Sequence, residues 1–170
     1  GMGGIGKTTL AKAVYNQFSD GFQGKSFLEK VREKKLEELQ RQLLSNILQT
    51  KIKVSSVAAG TDLVGKKFRR LKVLVIFDDV DNVKQLHGLA RNRHSFGPGS
   101  RIIITTRNEH VLKEFLVDKI YRAKGMDPEE ALELLSKHAF RSSCCPSQYL
   151  ALAEEVVNYC GGLPLALKVL

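Results

Sequence analysis

Gly1-Met2-Gly3-Gly4-Ile5-Gly6-Lys7-Thr8 opens the chain and passes directly into residues 9–18, where Leu10, Val14 and Phe18 recur at helical spacing beside Ala11 and Ala13. The stretch satisfies G-x-x-x-x-G-K-[ST], a pattern with physical content. Glycines let the backbone curl closely enough for successive N–H groups to face phosphate oxygens, and side chains there would obstruct the turn. The positive end of a helix starting near Lys7 adds to the attraction. In such a cradle Lys7 reaches the β- and γ-phosphates and Thr8 offers its hydroxyl to Mg²⁺. Thr9 has no assigned role in that scheme and falls in the first turn of the helix.

A phosphate cradle predicts a second element: an acid at the end of a buried strand, placed to hold the metal ion. Val73-Leu-Val-Ile-Phe77 is an unbroken apolar run ending on Asp78 and Asp79. Such a run reads as a strand buried on both faces of a parallel sheet. Asp78 is the candidate for the metal, directly or through water, and Asp79 for orienting or deprotonating an attacking water. Asp81, before Asn82, reads equally as a helix cap. Ile102-Ile-Ile104 is a second buried strand and ends in Thr105-Thr106-Arg107. Arg107 then emerges on the same sheet edge, either as a cation sensing a terminal phosphate or as a surface arginine opening a helix.

Between these motifs, periodicity predicts a strand at 26–31, a helix at 32–48, a loop at 50–60 and a basic helix at 61–71. Helices at 82–90 and 109–115 and a short strand at 119–121 follow. Composition shifts after Gly125. Asp127-Pro128-Glu129-Glu130 has a capping residue, a first-turn proline and acids at the positive end of a helix. A helix at 149–160 stops at Gly161-Gly162, and Pro164 begins another. Strands alternate with helices to about residue 124, and only helices follow.

The 170 residues, 43% hydrophobic and 26% charged, suffice for a domain with a real core. No apolar run reaches the roughly 20 residues of a membrane span, so a cytosolic or nuclear location is expected and no membrane partner is. Cys144, Cys145 and Cys160 have neither a disulfide nor a zinc spacing. The net charge of +9 sits largely in segments that read as exposed helix faces, and no aromatic residues interleave with the basic ones. Nucleic acid is therefore not an expected partner.

GMGGIGKTTLAKAVYN, LVIFDDVD, GSRIIITTR and GGLPLALKVL, in this order and spacing, resemble the NB-ARC nucleotide-binding region of plant disease-resistance proteins, relatives of the animal apoptosome ATPases. FQGKSFLEKVRE, and Asp81 in place of tryptophan, resemble the subclass with an N-terminal Toll/interleukin-receptor-like domain. The resemblance implies a STAND-type ATPase switch in plant defence, with ADP held at rest, ATP in the signalling state and slow hydrolysis resetting it. Carried over by position, Gly1, Gly3, Gly4, Ile5, Gly6, Lys7, Thr8 and Thr9 bind the phosphates. Thr8 and Asp78 serve Mg²⁺, Asp79 serves hydrolysis, Arg107 senses phosphate and Pro164 packs near the adenine. It also implies domain partners in one receptor, a Toll-like domain and leucine-rich repeats, and oligomerisation when active.

The fold implied is α/β, a three-layer P-loop NTPase with a parallel sheet over residues 1–124, then the start of a helical bundle over 125–170. The family has a strand before the glycine loop and further helices after GLPLAL. The chain begins and ends inside signature motifs, so a truncated, poorly active segment is expected. A metabolic P-loop kinase and a nucleic-acid-dependent ATPase are the rival readings; the first lacks a lid motif, and only the net charge favours the second.

Overall fold

The apolar run becomes β2, Val73–Val80, at the centre of a parallel sheet in a computed structural model that describes residues 1–170, the side chains of Ser19 and Arg93 excepted. Strand β1 (Gly24–Leu28) lies on one side and β3 (Arg101–Thr106) on the other. Flanked by two strands and covered on both faces, β2 has no place for an exposed polar residue until its end, and Val73 through Asp78 are all buried. The register aligns Phe27 with Ile76 and Ile76 with Ile103. The carboxyl ends of all three strands therefore open on one edge.

Chain contacts divide the molecule into two units, Thr8–Ile120 and Gly1–Lys7 with Tyr121–Leu170. In the first, alternate side chains of β2 sort the helices into layers. Val73, Val75 and Phe77 join Leu39 and Leu43 of α2 (Leu36–Leu48), Phe68 of α3 (Val57–Phe68) and Leu86 of α4 (Val83–Leu89) in one core. Each such fully buried side chain contributes about 1.5–3 kcal/mol. Leu74 points the other way and lines a pocket with Val14 and Phe18 of α1, the helix spanning Lys7–Phe18. Tyr15 of α1 meets Phe27 edge to face at 5.6 Å. The helix–sheet–helix layering expected of the sequence is present. After β3, the short helix α5 (Glu109–Glu114) returns Val111 to the main core.

Three local expectations shift. Helix α3 starts at Val57, inside the predicted loop, because Ser56 is extended and its hydroxyl accepts from the Ala59 N–H at 3.2 Å. Helix α2 starts at Leu36 rather than residue 32, because residues 31–33 form a separate 3₁₀ turn and Lys35 is extended. Residues 119–121 form no strand: a strand needs a ladder partner, and the sheet ends at β3.

In the second unit, α6 (Pro128–Ala139), α7 (Leu150–Cys160) and α8 (Pro164–Val169) close around Ala131, Leu135, Val157 and Leu167. Asp127 accepts from the Glu130 N–H at 2.9 Å, the cap expected of the sequence, and Glu130 accepts from the Asp127 N–H at 3.1 Å, which makes the cap reciprocal. Gly161, at φ 56°, ends α7 in the left-handed region.

Candidate functional site

Asp78 lies near the carboxyl end of β2 and is only 3% exposed. Because Phe77 pairs with Ile104, the next residue on each strand places Asp78 level with Thr105. Asp78 Oδ1 accepts the hydroxyl of Thr105 at 2.7 Å and the hydroxyl of Thr8, in the first turn of α1, at 2.8 Å. A buried carboxylate requires such donors, and each bond to a charged acceptor contributes about 1.5–3 kcal/mol. With its proton donated to Asp78, the Thr8 oxygen keeps lone-pair capacity for a cation. Among the described residues no cluster of three or more His, Cys, Asp or Glu side chains could enclose a metal. A threonine hydroxyl beside one carboxylate fits Mg²⁺ all the same, since that ion keeps several waters and draws its remaining ligands from substrate phosphates.

Asp79 is placed differently. The β2–β3 register breaks between Phe77 and Val80, and Asp79 takes φ 58°, left-handed for a non-glycine residue. Its N–H donates to the Thr105 hydroxyl at 2.9 Å, so one threonine pins both aspartates. Its carboxylate lies between two guanidinium groups: Arg32 Nε at 2.9 Å from Oδ2 and Arg107 Nε at 3.4 Å from Oδ1. Arg32 comes from the 3₁₀ turn after β1 and Arg107 from the end of β3. Asp79 and the candidate sensor are thus direct partners.

The glycine loop, in the second unit, folds back on its own lysine. The Lys7 ammonium donates to the carbonyls of Gly1 at 3.0 Å and Met2 at 2.7 Å. Gly3 and Gly4 make a turn, and Ile5 and Gly6 a bend leading into α1. Gly6 has φ 89°, and a Cβ there would meet nothing within 4 Å, so backbone conformation rather than packing calls for glycine. Gly4 has φ 79°, and its Cβ would come within 2.8 Å of the Leu165 Cβ. The Leu165 N–H also donates to the Gly4 carbonyl at 3.2 Å, which brings the loop to the residue following Pro164. Pro164 itself occupies the first turn of α8. Thr9 is exposed on α1.

Helix α1 is tied to the end of β1 by Lys12 and Glu29, 2.5 Å apart. Their hydrogen bond and mutual attraction raise the Lys12 ammonium above its ordinary value and lower the Glu29 carboxyl. Burial alone raises Tyr15 on the same helix.

Arg32 and Thr105 are the site residues that motif reading passes over. Thr105 becomes visible when the two buried runs are aligned by their ends. Arg32 follows a strand onto the same carboxyl edge as Arg107, the argument that flags Arg107, whereas FQGKSFLEKVRE serves in the sequence only as a subclass signature and as a strand running into a helix.

The family described as NB-ARC domain matches residues 1–145. Disease resistance protein RUN1 of Vitis rotundifolia is 48% identical over 176 residues, covering 100% of this chain and 13% of that protein. Disease resistance protein RPV1 of the same plant is 47% identical with the same coverage. TMV resistance protein N of Nicotiana glutinosa is 39% identical over 178 residues, 99% of this chain and 15% of that protein. The chain spans a small part, 13–15%, of the length of these curated relatives. Among the described residues no helix is long and apolar enough to cross a membrane.

Proposed function

We propose, from the premise that this chain belongs to the NB-ARC domain family, that it is the adenine-nucleotide switch of a plant immune receptor. ADP occupies the resting state, ATP with Mg²⁺ the signalling state, and weak hydrolysis returns one to the other. The observation that carries the reading is the buried cluster in which Thr8 and Thr105 both donate to Asp78. It joins the last residue of the phosphate-loop motif to the acid at the end of the central strand, the pairing that Mg²⁺–phosphate chemistry needs.

In this reading Gly1, Gly3, Gly4, Ile5, Gly6, Lys7, Thr8 and Thr9 hold the phosphates, and Thr8 and Asp78 hold Mg²⁺. An ion held there by Thr8 and Asp78 would supply charge neutralisation to the phosphates. Asp79 orients the attacking water, Arg107 senses the terminal phosphate and Pro164 packs near the adenine. Residues 1–124 form the nucleotide-binding domain and 125–170 the start of a helical one. The names of the relatives support a role in disease resistance, and a cytoplasmic or nuclear location belongs to the same proposal. A Toll-like domain, leucine-rich repeats and further copies of the receptor are its proposed partners.

Calorimetry with ADP and ATP, with and without Mg²⁺, tests the binding, and ATP turnover with and without DNA tests the class. Asp79→Ala is expected to slow turnover about 100-fold while ADP affinity is kept. Strong stimulation by DNA, or turnover only with a small-molecule phosphate acceptor, would overturn the switch reading in favour of a motor or a kinase.

A further inference from the structure

We infer that Arg32 is a positioning residue for the site: it holds Asp79, and through Asp79 it sets how readily Arg107 turns to a terminal phosphate. The inference rests on the nucleotide reading above and adds a residue to it. The geometry is one carboxylate between two cations, with unequal grips. Arg32 Nε stands 2.9 Å from Oδ2 and its side chain is 34% exposed, whereas Arg107 Nε stands 3.4 Å from Oδ1 and is 54% exposed. The shorter, more sheltered contact anchors and the longer, wetter one exchanges, because solvent competes more strongly for an exposed charge.

The backbone under each anchor partner is also unusual. Asp79 has φ 58°, and Lys30, which begins the turn carrying Arg32, has φ 52°. Left-handed backbone at two non-glycine residues is held in place only where surrounding contacts over-determine it. Here those contacts are Val31, wholly buried in the core beside Arg32, and the Asp79 N–H bond to Thr105. Both ends of the Arg32–Asp79 pair are therefore held by their own backbone surroundings, and Arg107 holds Asp79 by the longer, more exposed contact.

The charge balance gives the direction of the effect. With Arg32 present, the Asp79 charge is shared, and Arg107 leaves it for a γ-phosphate at low cost. Without Arg32, Asp79 turns its whole charge on Arg107 and competes with the phosphate. ADP, which has no γ-phosphate, does not sense the difference. Arg32 thus tunes the preference between nucleoside triphosphate and diphosphate rather than nucleotide affinity as such.

The experiment is calorimetric titration of ADP and of ATP, with Mg²⁺, into the full-length protein bearing Arg32→Gln, Arg32→Lys, Asp79→Asn or the pair Arg32→Gln/Asp79→Asn. For Arg32→Gln we expect ATP binding to weaken about three- to fivefold with ADP binding unchanged; Arg32→Lys restores part of the loss. In the Asp79→Asn background Arg32→Gln has no further effect on the ratio, since the charge it balances is gone. Asp79→Asn alone raises the ATP-to-ADP preference, and this holds as the test if Arg32→Gln does not fold. Equal weakening of both nucleotides by Arg32→Gln, an unchanged ratio, or the same change in the Asp79→Asn background would overturn the proposal. Lys7→Ala separates the two levels: if it leaves ADP affinity intact, the nucleotide reading itself fails, whereas an unchanged ratio with Lys7-dependent ADP binding sinks only the role of Arg32.

Discussion

The starts of α1 and α6 are the same structural problem solved in opposite ways. Both helices run for 12 residues, and both present backbone N–H groups and a positive dipole end. Helix α6 closes its own end with Asp127, Glu129 and Glu130. Helix α1 opens on Lys7, Thr8 and Thr9 with no acid in its first turn and an added cation. An acid in the first turn stabilises a helix; leaving it out costs stability and keeps the positive end for an anion supplied from outside. The contrast separates a helix end closed by its own acids from one that the proposed function assigns to a phosphate.

The comparison can be broken at its strongest point by Lys7→Ala. Loss of the ammonium should weaken ADP binding about 100-fold by calorimetry, with little change in thermal unfolding, because its bonds to the Gly1 and Met2 carbonyls are exposed. Thr9→Asp gives α1 the kind of first-turn acid that α6 has. Stability should rise by a few tenths of a kcal/mol, about 0.3–0.5, while ADP binding weakens about tenfold; unweakened binding would mean that the α1 end takes no anion. Asp127→Ala does the reverse to α6. It should lower stability by about 1 kcal/mol in denaturant unfolding and leave ADP affinity where it was.

The smallest expected effect comes from pH. The Glu29 carboxyl is lowered by its hydrogen bond to Lys12, so its contribution is fully present above the ordinary glutamate range and is lost as pH falls through the lowered folded value. Both side chains are about half exposed, which makes the contribution small and salt-sensitive. Comparing acid unfolding of the wild type with Glu29→Gln at low and high salt checks it. A loss near neutral pH would be inconsistent with the pair as its source.

What could be read without coordinates follows from whether local chemistry had competition. Val73 to Phe77 has no polar residue to suggest another partner, and it became the central strand. Asp127-Pro128-Glu129-Glu130 names its cap residue by residue, and the cap formed as written. Residues 119–121 have strand-like composition but no neighbour to ladder with, and they formed no strand. Ser56 captured the start of α3 from within a segment whose polarity reads as loop. Tertiary competition decided the last two cases, and composition carries no record of it.

By itself the sequence determined the parallel sheet, the glycine cradle ending in Lys7 and Thr8, and the acids at the end of β2, because each follows from residue type and near-neighbour spacing. Only the tertiary structure decided that Thr105 pins both aspartates, that Asp79 is left-handed, and that Arg32 and Arg107 share its carboxylate. Those pairings cross 26 residues between Asp79 and Thr105, and comparable or longer stretches of chain for the arginines. They exist because strand register and one break in it bring remote strand ends to the same edge, and register is set by burial across the whole sheet.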